Sequence, residues 1–156
     1  MAELHRIAVT VNGQSYAREV EARRLLGDFL RDDLGLISIH FGCEQGACGA
    51  CTILLNGDSV RSCLTFAVQV DGAEITTVEG IGEVDNLHPL QKAFREHHAL
   101  QCGFCTPGMI MTALDLKQKQ SLATDAEIRD GISGNLCRCT GYQNIVSAIK
   151  AWAASE

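Results

Sequence analysis

The sequence contains no apolar run approaching the ~20 residues that a helix needs to cross a bilayer, so no membrane span is expected. It has no basic excess either: 13 Lys and Arg stand against 19 Asp and Glu, for a net charge of -6. A chain of that sign does not suit a phosphate backbone, so nucleic acid is not an expected partner. The opening stretch "MAELHRIAVTVNG" lacks the basic-then-apolar order of a secretory signal, which makes a cytoplasmic setting the expectation. No long-period repeat of the solenoid kind is present. What remains, at 156 residues with 46% hydrophobic and 21% charged, is a folded protein of one ordinary domain or two small ones.

What the sequence does have is cysteine: eight residues, divided four and four. A reducing compartment disfavours four disulfides, and metal binding is the better reading. The division falls at "TVEGIGEVDN", residues 77–86, a stretch rich in Gly and acid. This suggests a domain spanning 1–78 and another spanning 79–156.

The first half reads as strands with one helix. Ile7, Val9 and Val11 alternate, Asn12-Gly13 suits a type I' turn, and Gln14 to Val20 can return as the second strand of a hairpin. Leu25, Leu26, Phe29, Leu30 and Leu34 recur at helical spacing up to Gly35. A second strand-turn-strand unit lies in "TILLNGDSVRS", and "AEITTVEG" offers a last strand. In the second half the spacing predicts four helices. Leu87, Leu90 and Phe94 mark one; Met109, Ile110, Ala113, Leu114 and Leu116 mark the next. Thr124 with Glu127 forms a capping-box signature for a third, which carries Ile128 and Ile132 until Gly134-Asn135. Ile145, Ile149 and Trp152 mark the fourth.

The first cysteine set, Cys43, Cys48, Cys51 and Cys63, has the spacing C-x4-C-x2-C-x11-C. Plant-type [2Fe-2S] ferredoxins use C-x4-C-x2-C with a distant fourth cysteine, whereas zinc sites open on closer pairs. Gly42, Gly46 and Gly49 are read as allowing positive φ and close backbone approach, so that N–H groups point at sulfur. The second set, Cys102, Cys105, Cys137 and Cys139, is C-x2-C followed by C-x-C. By spacing alone it suits zinc and iron-sulfur equally. Thr106-Pro107 and Thr140-Gly141 each follow a cysteine, and both threonines are read as N-caps that put thiolates at helix N-termini. Arg138 is read as a solvated charge. His5, His40, His88, His97 and His98 are read as surface or packing residues, since both sets are complete without the two His of a Rieske centre.

At "GCEQGACGACTILLNG", "QCGFCTPGM" and "GNLCRCTGY" the sequence resembles the small iron-sulfur subunit of the molybdenum hydroxylases, the xanthine oxidase family, in order and over essentially the whole chain. The resemblance implies an α+β protein: a plant-type, β-grasp ferredoxin-like domain followed by a C-terminal four-helix bundle, each with one [2Fe-2S] cluster. Cys43, Cys48, Cys51 and Cys63 would ligate the outer cluster; Cys102, Cys105, Cys137 and Cys139 would ligate the inner one. Gln101 would lie against the pterin of the molybdenum cofactor, with Cys139 beside the pterin amino group as the electron exit. The implied function is a relay from molybdenum-pterin in a large subunit to FAD in a medium subunit or another acceptor. The two partners would be separate chains in a dimer of heterotrimers, and no catalytic acid, base or nucleophile is expected here. A free-standing two-cluster ferredoxin or redox sensor is the alternative. The stretches "QCGFCTPGMIM" and "CRCTGYQNIVSAI" resemble the carbon monoxide dehydrogenase branch most.

Overall fold

The computed structural model describes residues 3–155; Met1, Ala2 and Glu156 lie outside the described residues. Strand β1, Leu4–Val11, buries Ile7, Val9 and Val11 on one face, as its alternation predicts. It turns back through Asn12 (φ 51°) and Gly13 (φ 78°) into β2, Gln14–Glu21, pairing Val11 with Gln14 and Leu4 with Glu21. The second Asn-Gly step, Asn56 and Gly57, joins β3, Thr52–Leu55, to β4, Asp58–Arg61. Both hairpins thus form where a two-residue loop with positive φ at both positions matches strand twist. Strand β5, Glu74–Thr76, sits in the middle, parallel to β1 and antiparallel to β3, for a mixed sheet ordered β2-β1-β5-β3-β4.

Between the hairpins the expected helix over 25–34 is shorter and irregular. Leu25 is extended and bridges Phe66, so helix α1 covers only Leu26–Asp28 before widening into a π-helical segment, Phe29–Asp33. The widening shows as Leu34 N–H donating to the Phe29 carbonyl at 3.2 Å. Leu26, Phe29 and Leu30 are fully buried against the sheet with Ile53 and Ile75, and this is the first core.

Four helices follow: α2, Pro89–Glu96; α3, Thr106–Lys119; α4, Asp125–Gly131; and α5, Gln143–Ala154. Their apolar faces close a second core built on Leu90, Phe94, Met109, Ile128, Ile132, Ile145, Ile149 and Trp152. Thr124 and Glu127 cap α4 reciprocally, as the sequence predicts. His88 does more than pack, its ring standing 6.1 Å from that of Trp152: it also caps α2, its Nδ1 accepting Leu90 N–H at 3.2 Å while Gln91 Oε1 accepts His88 N–H at 2.9 Å. Helix α4 ends at Gly131, with Ile132 as its C-cap, two residues earlier than Gly134-Asn135 suggests.

The two cores are sewn together by polar contacts. Asp115, buried on α3, accepts Ser59 Oγ–H at 2.6 Å and faces Lys119 Nζ at 2.6 Å, and Lys119 also reaches Asp58 at 2.7 Å. Glu79, in the segment joining the halves, accepts N–H and O–H from Ser38 and O–H from Thr77. Partial burial pushes that carboxyl up, but these donors, together with Glu79's own N–H, outweigh it and hold it below the ordinary glutamate range.

Candidate metal centres

The loop 42–51 wraps the first thiol set. Cys51 and Cys63 are buried; Cys43 and Cys48 are half-buried. Backbone N–H groups of Gln45 and Cys48 point at Cys43 Sγ, at 3.5 and 3.3 Å, and Gly46 N–H points at Cys63 Sγ. Gly46 takes φ 79° to do so, and a side chain there would run into Leu64. Gly42 does not adopt positive φ; its role is close approach, since a Cβ would stand 3.0 Å from Cys48 Sγ. Hydrogen bonds from Gln45 N–H, then from Cys48, lower the Cys43 thiol to about 7, whereas burial pushes Cys63 up to about 11.

The second set lies at the start of α3 and in the turn before α5. Cys105 is the N-cap of α3, with Thr106 and Pro107 inside the helix, so Thr106 is not the cap that the sequence suggests. Thr140 is not a cap either. Helix α5 starts three residues later, after Tyr142, and the Thr140 hydroxyl serves Cys137 Sγ and Tyr142 N–H instead, both at 3.1 Å. Cys102 and Cys139 are exposed, as is Gln101 beside them. Burial pushes Cys105 up to about 12. Burial also raises Cys137, but hydrogen bonds from the Thr140 hydroxyl and N–H, Cys139 N–H and the Cys105 thiol outweigh it and lower the group overall.

Within each set the sulfurs lie close enough to act on one another's protonation: on top of burial, Cys51 and Cys43 both raise Cys63, and Cys137 and Cys102 both raise Cys105. The Cys48 thiol donates to Cys43 and the Cys63 thiol to Cys51. In the second set Cys139 donates to Cys102 at 3.5 Å and Cys105 donates to Cys137. Among the described residues no group of three or more Cys, His, Asp or Glu is arranged to hold one metal ion. Four soft cysteine donors in each set fit the donor set of a [2Fe-2S] centre, in which four cysteines are shared between two irons.

The two sets meet across the interface between the cores. Leu136 N–H, next to Cys137, donates to the Cys48 carbonyl at 2.8 Å. Asn135, only 2% exposed, gives its amide N–H to the Gly49 carbonyl at 3.1 Å and accepts Thr112 O–H at 3.0 Å. Arg61 donates to the Gly134 carbonyl at 2.9 Å and to Thr52 Oγ1 at 2.5 Å. Gly49 and Gly108 are the points of closest approach: a Cβ on Gly49 would lie 2.6 Å from the Gly134 carbonyl, and one on Gly108 would lie 2.2 Å from the Gly49 carbonyl. Sequence reasoning missed Asn135 in this role, as well as Tyr142. The signal available was the pairing of small residues around two cysteine loops, Gly49 against Gly134, which marks backbones in contact.

This geometry defines a class: a two-core protein with two neighbouring tetrathiol sets of the kind that carries iron-sulfur electron transfer. Comparison with known proteins agrees. A "2Fe-2S iron-sulfur cluster binding domain" matches residues 9–77, and a "[2Fe-2S] binding domain" matches residues 77–150. The chain is 56% identical to caffeine dehydrogenase subunit gamma of Pseudomonas sp. (strain CBB1), over 94% of this chain and 90% of that one. It is 54% identical to the 6-hydroxypseudooxynicotine dehydrogenase complex subunit beta of Paenarthrobacter nicotinovorans, over 92% and 90%. The crystal structure of quinoline 2-oxidoreductase from Pseudomonas putida 86 superposes with a TM-score of 0.93 at 49% identity, covering 99% of this chain and 96% of the matched chain. The chain belongs to the small iron-sulfur subunits of the xanthine oxidase family of molybdenum hydroxylases, and its role is that of an electron-transfer subunit in an oxidoreductase complex.

Proposed function

We propose that Cys43, Cys48, Cys51 and Cys63 hold one [2Fe-2S] cluster and Cys102, Cys105, Cys137 and Cys139 a second. The observation that carries this is that each set of four cysteines falls within one matched [2Fe-2S] domain, the first within residues 9–77 and the second within 77–150. When bound, each cluster supplies a one-electron carrier; the chain supplies position, burial and hydrogen bonds that tune it. Residues 1–78 would form a plant-type, β-grasp ferredoxin domain and 79–156 a four-helix-bundle domain. The chain would work in the cytoplasm, where its thiols stay reduced.

In this reading the chain relays electrons from molybdenum-pterin in a large subunit to FAD in a medium subunit, within a dimer of heterotrimers. Gln101 and Cys139 would face the pterin, and their exposure beside Cys102 supports that role. The exposed Leu100 and Phe104 flank the same stretch and supply apolar area for docking. The hydrogen bond from Leu136 to the Cys48 carbonyl gives the second set a bonded connection to the first. The relatives above are named for caffeine, 6-hydroxypseudooxynicotine and quinoline, all N-heteroaromatic. We therefore assign the large subunit an N-heteroaromatic substrate rather than carbon monoxide.

The test is gentle purification of the tagged chain from its own host. Two further chains in equal amount, with molybdenum and FAD, are the expected result. A monomer carrying iron without molybdenum or partners would overturn the relay and leave a free-standing ferredoxin.

A further inference from the structure

Cys137 is enclosed by a closed set of hydrogen bonds from two residues that follow it. The Thr140 hydroxyl lies 3.1 Å from Cys137 Sγ, and the same oxygen accepts Tyr142 N–H at 3.1 Å. The Tyr142 hydroxyl accepts Cys137 N–H at 2.8 Å and donates to the Asn135 carbonyl at 3.2 Å. Tyr142 does this in a left-handed backbone conformation, φ 68°, which a bulky residue holds only where its surroundings fix it.

A sulfur bound to iron carries no proton, so Thr140 must then be the donor in its contact with Cys137. One of its two lone pairs accepts Tyr142 N–H, and its single hydrogen is the one available to a sulfur that has none. The first set differs: the N–H donors identified there, from Gln45, Cys48 and Gly46, belong to the backbone. We propose that Thr140 is a positioning residue that raises the reduction potential of the second centre through its hydroxyl, and that Tyr142 holds that hydroxyl in place. A donor to sulfur stabilises the reduced state, which carries one more negative charge. The proposal rests on the assignment of Cys137 as an iron ligand made above.

The test is a redox titration followed by EPR on the natively purified complex, unaltered or carrying Thr140→Val or Thr140→Ser. Valine keeps the shape and removes the donor; serine keeps the donor. In Thr140→Val the signal that Cys139→Ser disturbs should need a lower potential. At the unaltered midpoint its reduced-to-oxidised ratio should fall about tenfold, a shift of ~59 mV for a one-electron couple. The other signal should stay in place, and Thr140→Ser should match the unaltered complex. An unmoved midpoint in Thr140→Val, a shift of both signals together, or an equal shift in Thr140→Ser would overturn the inference while leaving two clusters standing. Absence of a second signal in the unaltered complex would overturn both the inference and the ligand assignment.

Discussion

Replacing Asn135 by alanine should destabilise the chain far more than a loop substitution ordinarily does. Its side chain holds Thr112 O–H at 3.0 Å and the Gly49 carbonyl at 3.1 Å, between the two cores. Thr112, 6% exposed, would lose its acceptor, and an orphaned buried hydroxyl costs about 1–3 kcal/mol. The Gly49 carbonyl would keep Thr52 Oγ1 at 2.6 Å, so that loss is only the ordinary net worth of one hydrogen bond, about 1 kcal/mol. Together these give about 2–4 kcal/mol, or a fall of about 4–16 °C in apparent Tm for a chain of this size. Thermal unfolding followed by circular dichroism reads it. Adding Thr112→Val removes the orphaned hydroxyl, so the double variant should lose less than the sum of the single losses. A fall below about 2 °C in Asn135→Ala, or full additivity in the pair, would refute the reasoning.

Gly108→Ala should force α3 off the first cysteine loop, because its Cβ would meet the Gly49 carbonyl at 2.2 Å. Overpacking of this kind costs about 1–3 kcal/mol, and an unchanged melting curve would mean the helix is not seated there. In the metal-depleted chain Cys43, lowered to about 7, should be alkylated first. Its rate should climb as pH rises through about 7 and then level off, while Cys63 and Cys105, at about 11 and about 12, stay slow; peptide mass spectrometry would show equal rates if that reasoning fails. Cys139→Ser should abolish or disturb the second EPR signal and leave the first intact, with Cys48→Ser giving the converse. Loss of both signals from either variant would mean that the halves do not fold as separate units.

Local features were legible where one short stretch decides its own conformation. Asn12-Gly13 and Asn56-Gly57 announced both hairpins, because each turn needs φ > 0 at both positions and few other dipeptides supply it. Thr124 and Glu127 announced the start of α4 for the same local reason. The misread caps show where that logic stops. Thr106 and Thr140 have the right residue type in the right place, but Cys105 already provides the entry to α3, and the Thr140 hydroxyl is claimed by sulfur and Tyr142. Leu25 fitted the helical spacing of its neighbours, yet its bridge to Phe66 holds it extended. Cysteine spacing gave the grouping into two sets, since the spacing within each loop limits what one chain segment can wrap. The contacts between the sets were not legible. Asn135, Leu136, Gly49 and Gly108 come together only when the two cores dock, and periodicity describes the face of one element, not what it meets.

The most direct test of the central claim is iron, zinc and acid-labile sulfide per chain on the natively purified protein, with EPR during stepwise reduction. Two tetrathiol sets predict about four irons, about four sulfides and two distinct [2Fe-2S] signals. About two irons accompanied by zinc, with a single signal, would contradict the account at the second set.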